Sequence, residues 1–483
     1  MLTLTSCGPG RDYQTPETKA TPAWHEPAAA GAVALPTWWK SFADPRLDRL
    51  VEQSLARNLD LALAAARIQE ARARRGAVSW VRYPEFDAYA AAERRRGSEN
   101  LAFAQPGPNN TFELGFDAAW EVDLFGGLSR AIEREDARLE ALAFARGEVL
   151  STVAAETTRA YLDLVAAQEL VAVAREDLAG QQRIRDLVAA RVGAGATTES
   201  ELAQADAELA AQSAAIPDLD VRRSEALARL AVLAARPAGE VFAATAGETG
   251  DDAFTGLATL MRIPQPASMF AAGLPSDLVW RRPDLRRAER ELAAATADIG
   301  VIESDLYPRF SLTGSFGLES DSTDNLTDHG SRFWSIGPSV RWPLLAQGRI
   351  RRQARAADTR AVQAGIIYEQ AVLIAFADVE FALASLARAQ ERVRASDASA
   401  DAHVRALKLV QVRYEHGAER LLAVLIQSHN AALARRQAIE ARRTMALSVV
   451  GLAKALGGGW QPTGSTPPTE PVIAPAPVAA DRG

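Results

Sequence analysis

The sequence predicts an α+β membrane protein in which each chain supplies four strands to a β-barrel pooled among several copies. Long helical hairpins continue that barrel as a coiled-coil tube. Three observations carry this expectation: the chain is one architecture written twice, segments of period two recur at bilayer-crossing length, and very long segments of period seven follow them.

The repeat comes first because it organises the rest. FELGFDAAWEVDLFGGLSR, around residue 120, is answered by FWSIGPSVRWPLLAQGRIR, around residue 342, so Trp120 and Trp342 are 222 positions apart, as are Gly126 and Gly348. The same offset carries LVAARVGAGATTESEL onto LVQVRYEHGAERLLAV, and further upstream it becomes 224, pairing Tyr83-Pro84 with Tyr307-Pro308. Each copy is expected to run as a helix, two strands, one very long helix, a tight turn and a return helix. The first helix of copy one reads as one piece, DPRLDRLVEQSLARNLDLALAAARIQEARARRG, and that of copy two as RRPDLRRAERELAAATADIGVIESDL. The expected units are an extended segment over 1–45, repeat one over 46–236 and a linker over 237–282. Repeat two follows over 283–457, with a Pro-rich tail over 458–483 too poor in apolar residues to pack. Barrel strands fall in 84–124 and 308–345, and helical hairpins in 127–236 and 348–457.

In the strands the period is two. Phe112, Leu114, Phe116, Ala118, Trp120 and Val122 alternate with Thr111, Glu113, Gly115, Asp117, Ala119 and Glu121, and Phe310 to Leu318 alternate with serines, threonine and glycine. One face is apolar and the other polar, over a length that suits a tilted bilayer crossing. Tyr83, Trp120, Tyr307 and Trp342 fall at the strand ends nearest the helices and read as an interfacial aromatic girdle. Four strands are too few for a soluble sandwich with aromatic corners, and too few to close a barrel alone. Open edges in lipid leave backbone groups unsatisfied, so copies must pool their strands, to eight in a dimer or twelve in a trimer.

The long helices keep a heptad. Val372, Val379, Leu386, Val393, Ala400 and Leu407 are seven apart, as are Leu164, Val171 and Leu178. A helix over 349–413 is about 97 Å long at 1.5 Å per residue, several bilayer widths.

Composition excludes other classes. The net charge is −7 with acids and bases interspersed, so no broad basic face is available for nucleic acid. No uninterrupted apolar run of about 18 residues occurs and mean hydropathy is −0.10, which argues against a helical membrane span. HEPAA is not a zinc motif, GAGATT is not a dinucleotide fingerprint, and His25, His329, His403, His416 and His429 are scattered. No enzyme, metal or cofactor is expected. Arg94-Arg95-Arg96 reads as a solvated loop where the first strand leaves the membrane, with connections over 97–110 and 320–331.

WWKSFADPRLDRLVEQSLARNLDLALAAARIQEARA, RRPDLRRAERELAAATADIGVIESDLYPRFSLTGSFG and RYEHGAERLLAVLIQS resemble the outer membrane efflux channels of the TolC superfamily, most closely the OprM/NodT-type lipoproteins of resistance-nodulation-division pumps. The resemblance covers roughly residues 38–457. It implies a homotrimer with a twelve-stranded outer membrane barrel continuous with a periplasmic helical tube, the 237–282 linker lying in an equatorial belt. It also implies a passive exit duct for small toxic compounds, with a periplasmic adaptor and an inner membrane pump as partners. Leu4-Thr5-Ser6-Cys7 resembles a lipobox, which makes Cys7, the single cysteine, a candidate for acylation.

The turns RVGAGATTESEL and RYEHGAERLL should close the far ends of the hairpins, with Gly195 and Gly417 supplying left-handed backbone and Thr198 with Glu201 at capping-box spacing. In the family such tips meet the adaptor, so Arg191, Gly195, Arg413 and Gly417 are the docking candidates. Family channels close their aperture with aspartates on the return helix. Here the matching positions are Ala423 and Ile426, so an apolar constriction at Leu422 and Ile426 is expected, with His429 a turn on. A protein-secretion duct and a pore-free structural coiled-coil lipoprotein are the competing readings.

Overall fold

The computed structural model describes residues 9–17, 23–26, 35–98, 107–245, 252–257, 262–266 and 275–460. Both repeats are present. The first comprises α1 (Pro45–Arg57), α2 (Leu59–Trp80), β1 (Glu85–Arg96), β2 (Pro108–Val122), α3 (Gly127–Gly193) and α4 (Glu199–Leu233). The linker carries α5 (Ala238–Thr245). The second repeat comprises α6 (Leu278–Arg281), α7 (Pro283–Ser304), β3 (Arg309–Ser320), β4 (Arg332–Arg341), α8 (Gln347–Glu415) and α9 (Leu421–Ala455).

The first helix of copy one is two helices, which corrects the sequence expectation. Asn58 leaves helical geometry at ψ 132°, and its Oδ1 accepts from the amides of Asp60 at 2.9 Å and Leu61 at 3.2 Å, so the side chain starts a new helix at the point of the break. Copy two breaks 224 residues later at Arg282, ψ 123°, for another reason: Pro283 disfavours helical geometry in the residue before it and then serves as the first helical residue.

The sheet has the order β1-β2-β3-β4, antiparallel throughout. Register places Ala88, Phe116, Phe316 and Trp334 in one cross-strand row, and Asp87, Asp117, Ser315 and Ser335 in the next. Successive side chains point to opposite faces, so apolar rows collect on one side and polar rows on the other. Ser311–Ser339 and Ser315–Ser335 hydroxyl pairs at 2.7 Å knit the polar side, while Phe86, Phe116, Phe316, Trp334 and Ile336 lie exposed on the apolar one. Arg94 to Arg96 are not in a loop: they pair with Asn110, Asn109 and Pro108, extending the hairpin.

The heptad stripe is the packed seam. Val372, Val379, Leu386 and Ala400 are buried, as are Leu164 and Val171. Helix α8, at 69 residues, is about 104 Å long. Despite the lack of an uninterrupted apolar run, α8 contains an 18-residue window with mean hydropathy 1.6, long and apolar enough to cross a membrane by composition alone. Only 33% of that window is buried, because Leu373, Ile374 and Phe381 face outward, and Val362 and Ile366 continue the exposed apolar face toward the start of the helix.

The main core sits at mid-length, where Trp38, Trp39, Leu47, Leu50 and Val51 pack on α3 and α9. The linker joins this core through Val241, Phe254, Leu257 and Ile263. The chain stays packed past the expected tail boundary. Trp460 Nε1 donates to the Arg281 carbonyl at 2.8 Å and Ser151 Oγ to that of Gly458 at 2.6 Å; Pro-rich residues 461–483 lie outside the described residues.

An extended strap, residues 9–17, runs along α7. Tyr13 donates to Glu289 Oε1 at 2.6 Å, Arg130 bonds Asp12 at 2.5 Å and the Pro9 carbonyl at 3.2 Å, and Gly10 crosses Gly300. Both crossing residues must be glycine, since a Cβ on Gly10 would stand 2.7 Å from Gly300 Cα and one on Gly300 2.7 Å from the Pro9 carbonyl.

Candidate functional site

The structure concentrates its functional features at three levels along the rod: the hairpin tips, the return helix behind them and the helix–strand junction.

At the tips the two repeats make the same turn. Ala196 donates to the Arg191 carbonyl and Ala418 to that of Arg413, both at 2.8 Å, while Gly195 and Gly417 donate to the carbonyls of Val192 and Tyr414 at 2.9 and 3.0 Å. This paired closure of a helix end needs left-handed backbone, which Gly195 and Gly417 supply at φ +70° and +71°. The capping box at Thr198 does not form. The Glu201 carboxylate instead accepts from the Thr197 hydroxyl, and Thr198 offers the helix only its backbone carbonyl.

The two tip arginines have different surroundings. Arg191 lies 4.2 Å over the Tyr414 ring and donates to the carbonyls of Tyr414 at 2.9 Å and Glu415 at 3.2 Å, so it fastens one hairpin to the other. Arg413 is exposed and, among the described residues, pairs only with Glu419, at 3.5 Å. Tyr414 was not among the sequence candidates; its counterpart under the repeat is Val192, so only the departure from symmetry marks it.

Behind the second tip, α9 turns Leu421, Val424 and Leu425 into a small core with Ile184 and Val188. The opposite stripe is open: Leu422 is 59% exposed, Ile426 53% and Leu433 48%, with His429 between them, 3.9 Å from Glu208. The equivalent positions on α4 are Ser200, Gln204, Ala207 and Ala211. The apolar stripe therefore belongs to the second repeat alone, and no local packing explains it.

At the junction, Trp120 Nε1 donates to the Arg82 carbonyl at 2.9 Å and Trp342 Nε1 to that of Leu306 at 3.0 Å. Each tryptophan ties a strand end to the turn that follows the preceding helix. Tyr307 stacks on Phe125 with centroids 4.8 Å apart, and Tyr83 meets Trp80 at 5.3 Å. All four girdle candidates thus share one level. Cys7 lies outside the described residues. Among the described residues no group of three His, Cys, Asp or Glu side chains is placed to hold a metal ion.

Comparison with known proteins agrees with this geometry. Residues 50–236 and 274–458 match the family described as outer membrane efflux protein, one match for each repeat. The pyoverdine export outer membrane protein OpmQ of Pseudomonas putida is 33% identical over 95% of this chain and 96% of its own. Outer membrane protein OprJ of Pseudomonas aeruginosa is 31% identical over 95% and 94%. The solved outer-membrane channel OprN superposes with a TM-score of 0.82 at 32% identity, covering 94% of this chain and 99% of that one.

Proposed function

The chain belongs to the outer membrane efflux protein family, and from that premise we propose that three copies form a passive duct through which a tripartite pump expels small toxic compounds. The observation that carries the reading is the sheet. Its apolar face is exposed, and β1 and β4 each leave one edge without a partner strand among the described residues, a state that lipid does not tolerate. Three such sheets joined edge to edge make twelve strands, wide enough to leave a lumen behind the polar face.

The helices support the same assembly. Within the chain, α3 packs on α7 through Arg134–Asp298 at 2.8 Å and Arg290–Glu140 at 3.1 Å, burying Ala137 against Ala293 and Ala294. The repeat makes α8 and the next copy's α2 the equivalent pair. These are the two helices that stay open: α2 buries only Leu61 and Ala64, and α8 presents Val362 and Ile366.

Finer assignments follow from position. The exposed Arg413 and the turns at Gly195 and Gly417 would meet a periplasmic adaptor, with Arg191 bracing them, and an inner membrane pump of the resistance-nodulation-division class would supply the energy. Leu422 and Ile426 would form an apolar constriction that closes by dewetting, with His429 above it. Tyr83, Trp120, Tyr307 and Trp342 would mark the periplasmic membrane interface. The strap supports acylation at Cys7: Gly10 is fixed against Gly300, two turns of helix from Tyr307, so a cysteine three residues earlier is within reach of lipid.

Deleting the gene and scoring susceptibility to detergents, dyes and antibiotics tests the duct. Raised sensitivity, reversed by the wild-type chain, together with purified trimers that conduct ions in planar bilayers, is the expected result. Unchanged sensitivity together with no conductance would end this reading.

A further inference from the structure

The offset of 222 places two grooves in register, one in each repeat, and their chemistry differs. The groove of the first repeat lies between α3, α4 and α9, and its walls hold three arginines and three carboxylates. All three arginines are held in ion pairs: Arg443 meets Asp163 at 2.7 Å and Glu440 at 3.4 Å, Arg222 meets Glu440 at 3.5 Å, and Arg229 is paired with Glu156 beside the groove.

In the second repeat the equivalent groove, about 420 Å³ between α3, α8 and α9, has lost that balance. Asp163 becomes Ser385, Glu225 becomes Leu447, Arg229 becomes Gly451 and Val232 becomes Lys454. Arg222 likewise becomes Thr444, so two acids and two arginines are gone together, a lysine has appeared, and the glycine leaves open space where an arginine stood; the surplus positive charge comes from Lys454 and from Arg159 on the facing wall. Arg159 and Lys454 make no ion pair among the described residues, whereas Arg282 is engaged by Asp284 at 2.7 Å and Asp378 at 3.1 Å. Ser385, Thr444 and Ser448 line the wall with hydroxyls, and Phe381, 75% exposed, sits at the edge beside Leu447.

We infer that this groove is a binding subsite for small organic anions that carry a flat apolar ring. Arg159 and Lys454 would take the carboxylate or sulfonate, the hydroxyls would complete its hydrogen bonds, and Phe381 would cover the ring. Ile426, Leu433, Glu440, Leu447 and Lys454 are seven apart along α9, so the groove opens on the same side of that helix as the apolar stripe behind the tip. Its placement on the wall of the duct rests on the proposed function; its chemistry does not. The second repeat thus offers the passing solute an anion-selective resting place that the first repeat fills with ion pairs.

The test is calorimetric titration of the purified trimer with naphthalene-2-sulfonate, inorganic sulfate and 2-naphthalenemethanol, followed by planar-bilayer current recording with the sulfonate present. Saturable binding of the sulfonate is expected, weakened about tenfold by Lys454→Gln, Arg159→Gln or Phe381→Ala and unaltered by Arg222→Gln in the other groove. Lys454 and Phe381 are exposed, so their variants report on binding without burdening the fold. Equal binding of inorganic sulfate or of the neutral alcohol, indifference to all three substitutions, or no saturable binding overturns the assignment. Binding accompanied by reduced current supports the lumenal placement, and binding to an open, unaffected current overturns that placement. Binding to a trimer that never conducts leaves the subsite standing and removes the duct.

Discussion

Asn58 and Arg282 are equivalent positions 224 residues apart, and each donates to the carbonyl that ends its own repeat's return helix: Asn58 Nδ2 to Leu233 at 3.1 Å, Arg282 Nη1 to Ala455 at 3.2 Å. The same joint is thus made by an amide in one repeat and a guanidinium in the other. The second joint is the more heavily charged, because Asp284 and Asp378 also engage Arg282, and burial leaves Arg282 little solvent. Arg282→Ala should cost about 2–3 kcal/mol, since it removes a buried guanidinium and its charged hydrogen bonds while the partly exposed carboxylates of Asp284 and Asp378 stay solvated. Asn58→Ala should cost about 1 kcal/mol as a lost helix cap. Chemical unfolding of the detergent-solubilised protein followed by circular dichroism orders the two; equal effects would refute the distinction.

The tips separate a bracing arginine from a docking one. Arg413→Glu should weaken crosslinking to the adaptor and raise drug sensitivity while trimer yield stays normal, because the side chain is exposed and lightly held. Arg191→Glu should instead loosen the contact with Tyr414 and raise protease susceptibility at the tips. Gly417→Val, which forces a branched residue into left-handed backbone, should cost about 1–3 kcal/mol locally.

The apolar stripe is checked by the pair Leu422→Ser and Ile426→Ser. Combined, they should raise single-channel conductance and admit large antibiotics that the wild type excludes, because a wetted constriction no longer empties of water. Control exchanges at the equivalent first-repeat positions, Gln204→Ser with Ser200→Ala, should leave conductance as it was.

The strap carries a pH dependence. Burial pushes the Glu289 carboxyl up, but hydrogen bonds from Arg290 and Tyr13 outweigh it and hold it below the usual carboxylate range, and the nearby charge of Arg286 works in the same direction. Its contribution is therefore fully present above about pH 4.3, the unfolded value, and is lost as pH falls through the lower folded value. Protection against hydrogen exchange over residues 9–17, taken relative to the intrinsic rate at each pH, should fall in that acid window. Glu289→Gln should show the lowered protection already at neutral pH, and wild-type protection that does not change across the window would count against the contact.

Much of this molecule was legible before folding. The period of two fixed which side chains share a sheet face, so the row Ala88, Phe116, Phe316, Trp334 follows from alternation once register is known. The period of seven fixed the seam through Val372 and Val379, and the repeat located both glycine turns, because only glycine adopts their left-handed backbone without strain. Local chemistry misled at Thr198, whose spacing to Glu201 suited a capping box until Thr197 claimed the carboxylate.

What the sequence could not contain is the pairing between segments far apart in it. Arg191 over Tyr414, Gly10 crossing Gly300, the break at Asn58 tied to Leu233 and the unbalanced groove around Lys454 all join residues that no short pattern relates. Periodicity reports how one segment presents its faces to its surroundings. Which face meets which is decided by packing over the whole chain, where charge balance and close approach are properties of neighbours in space.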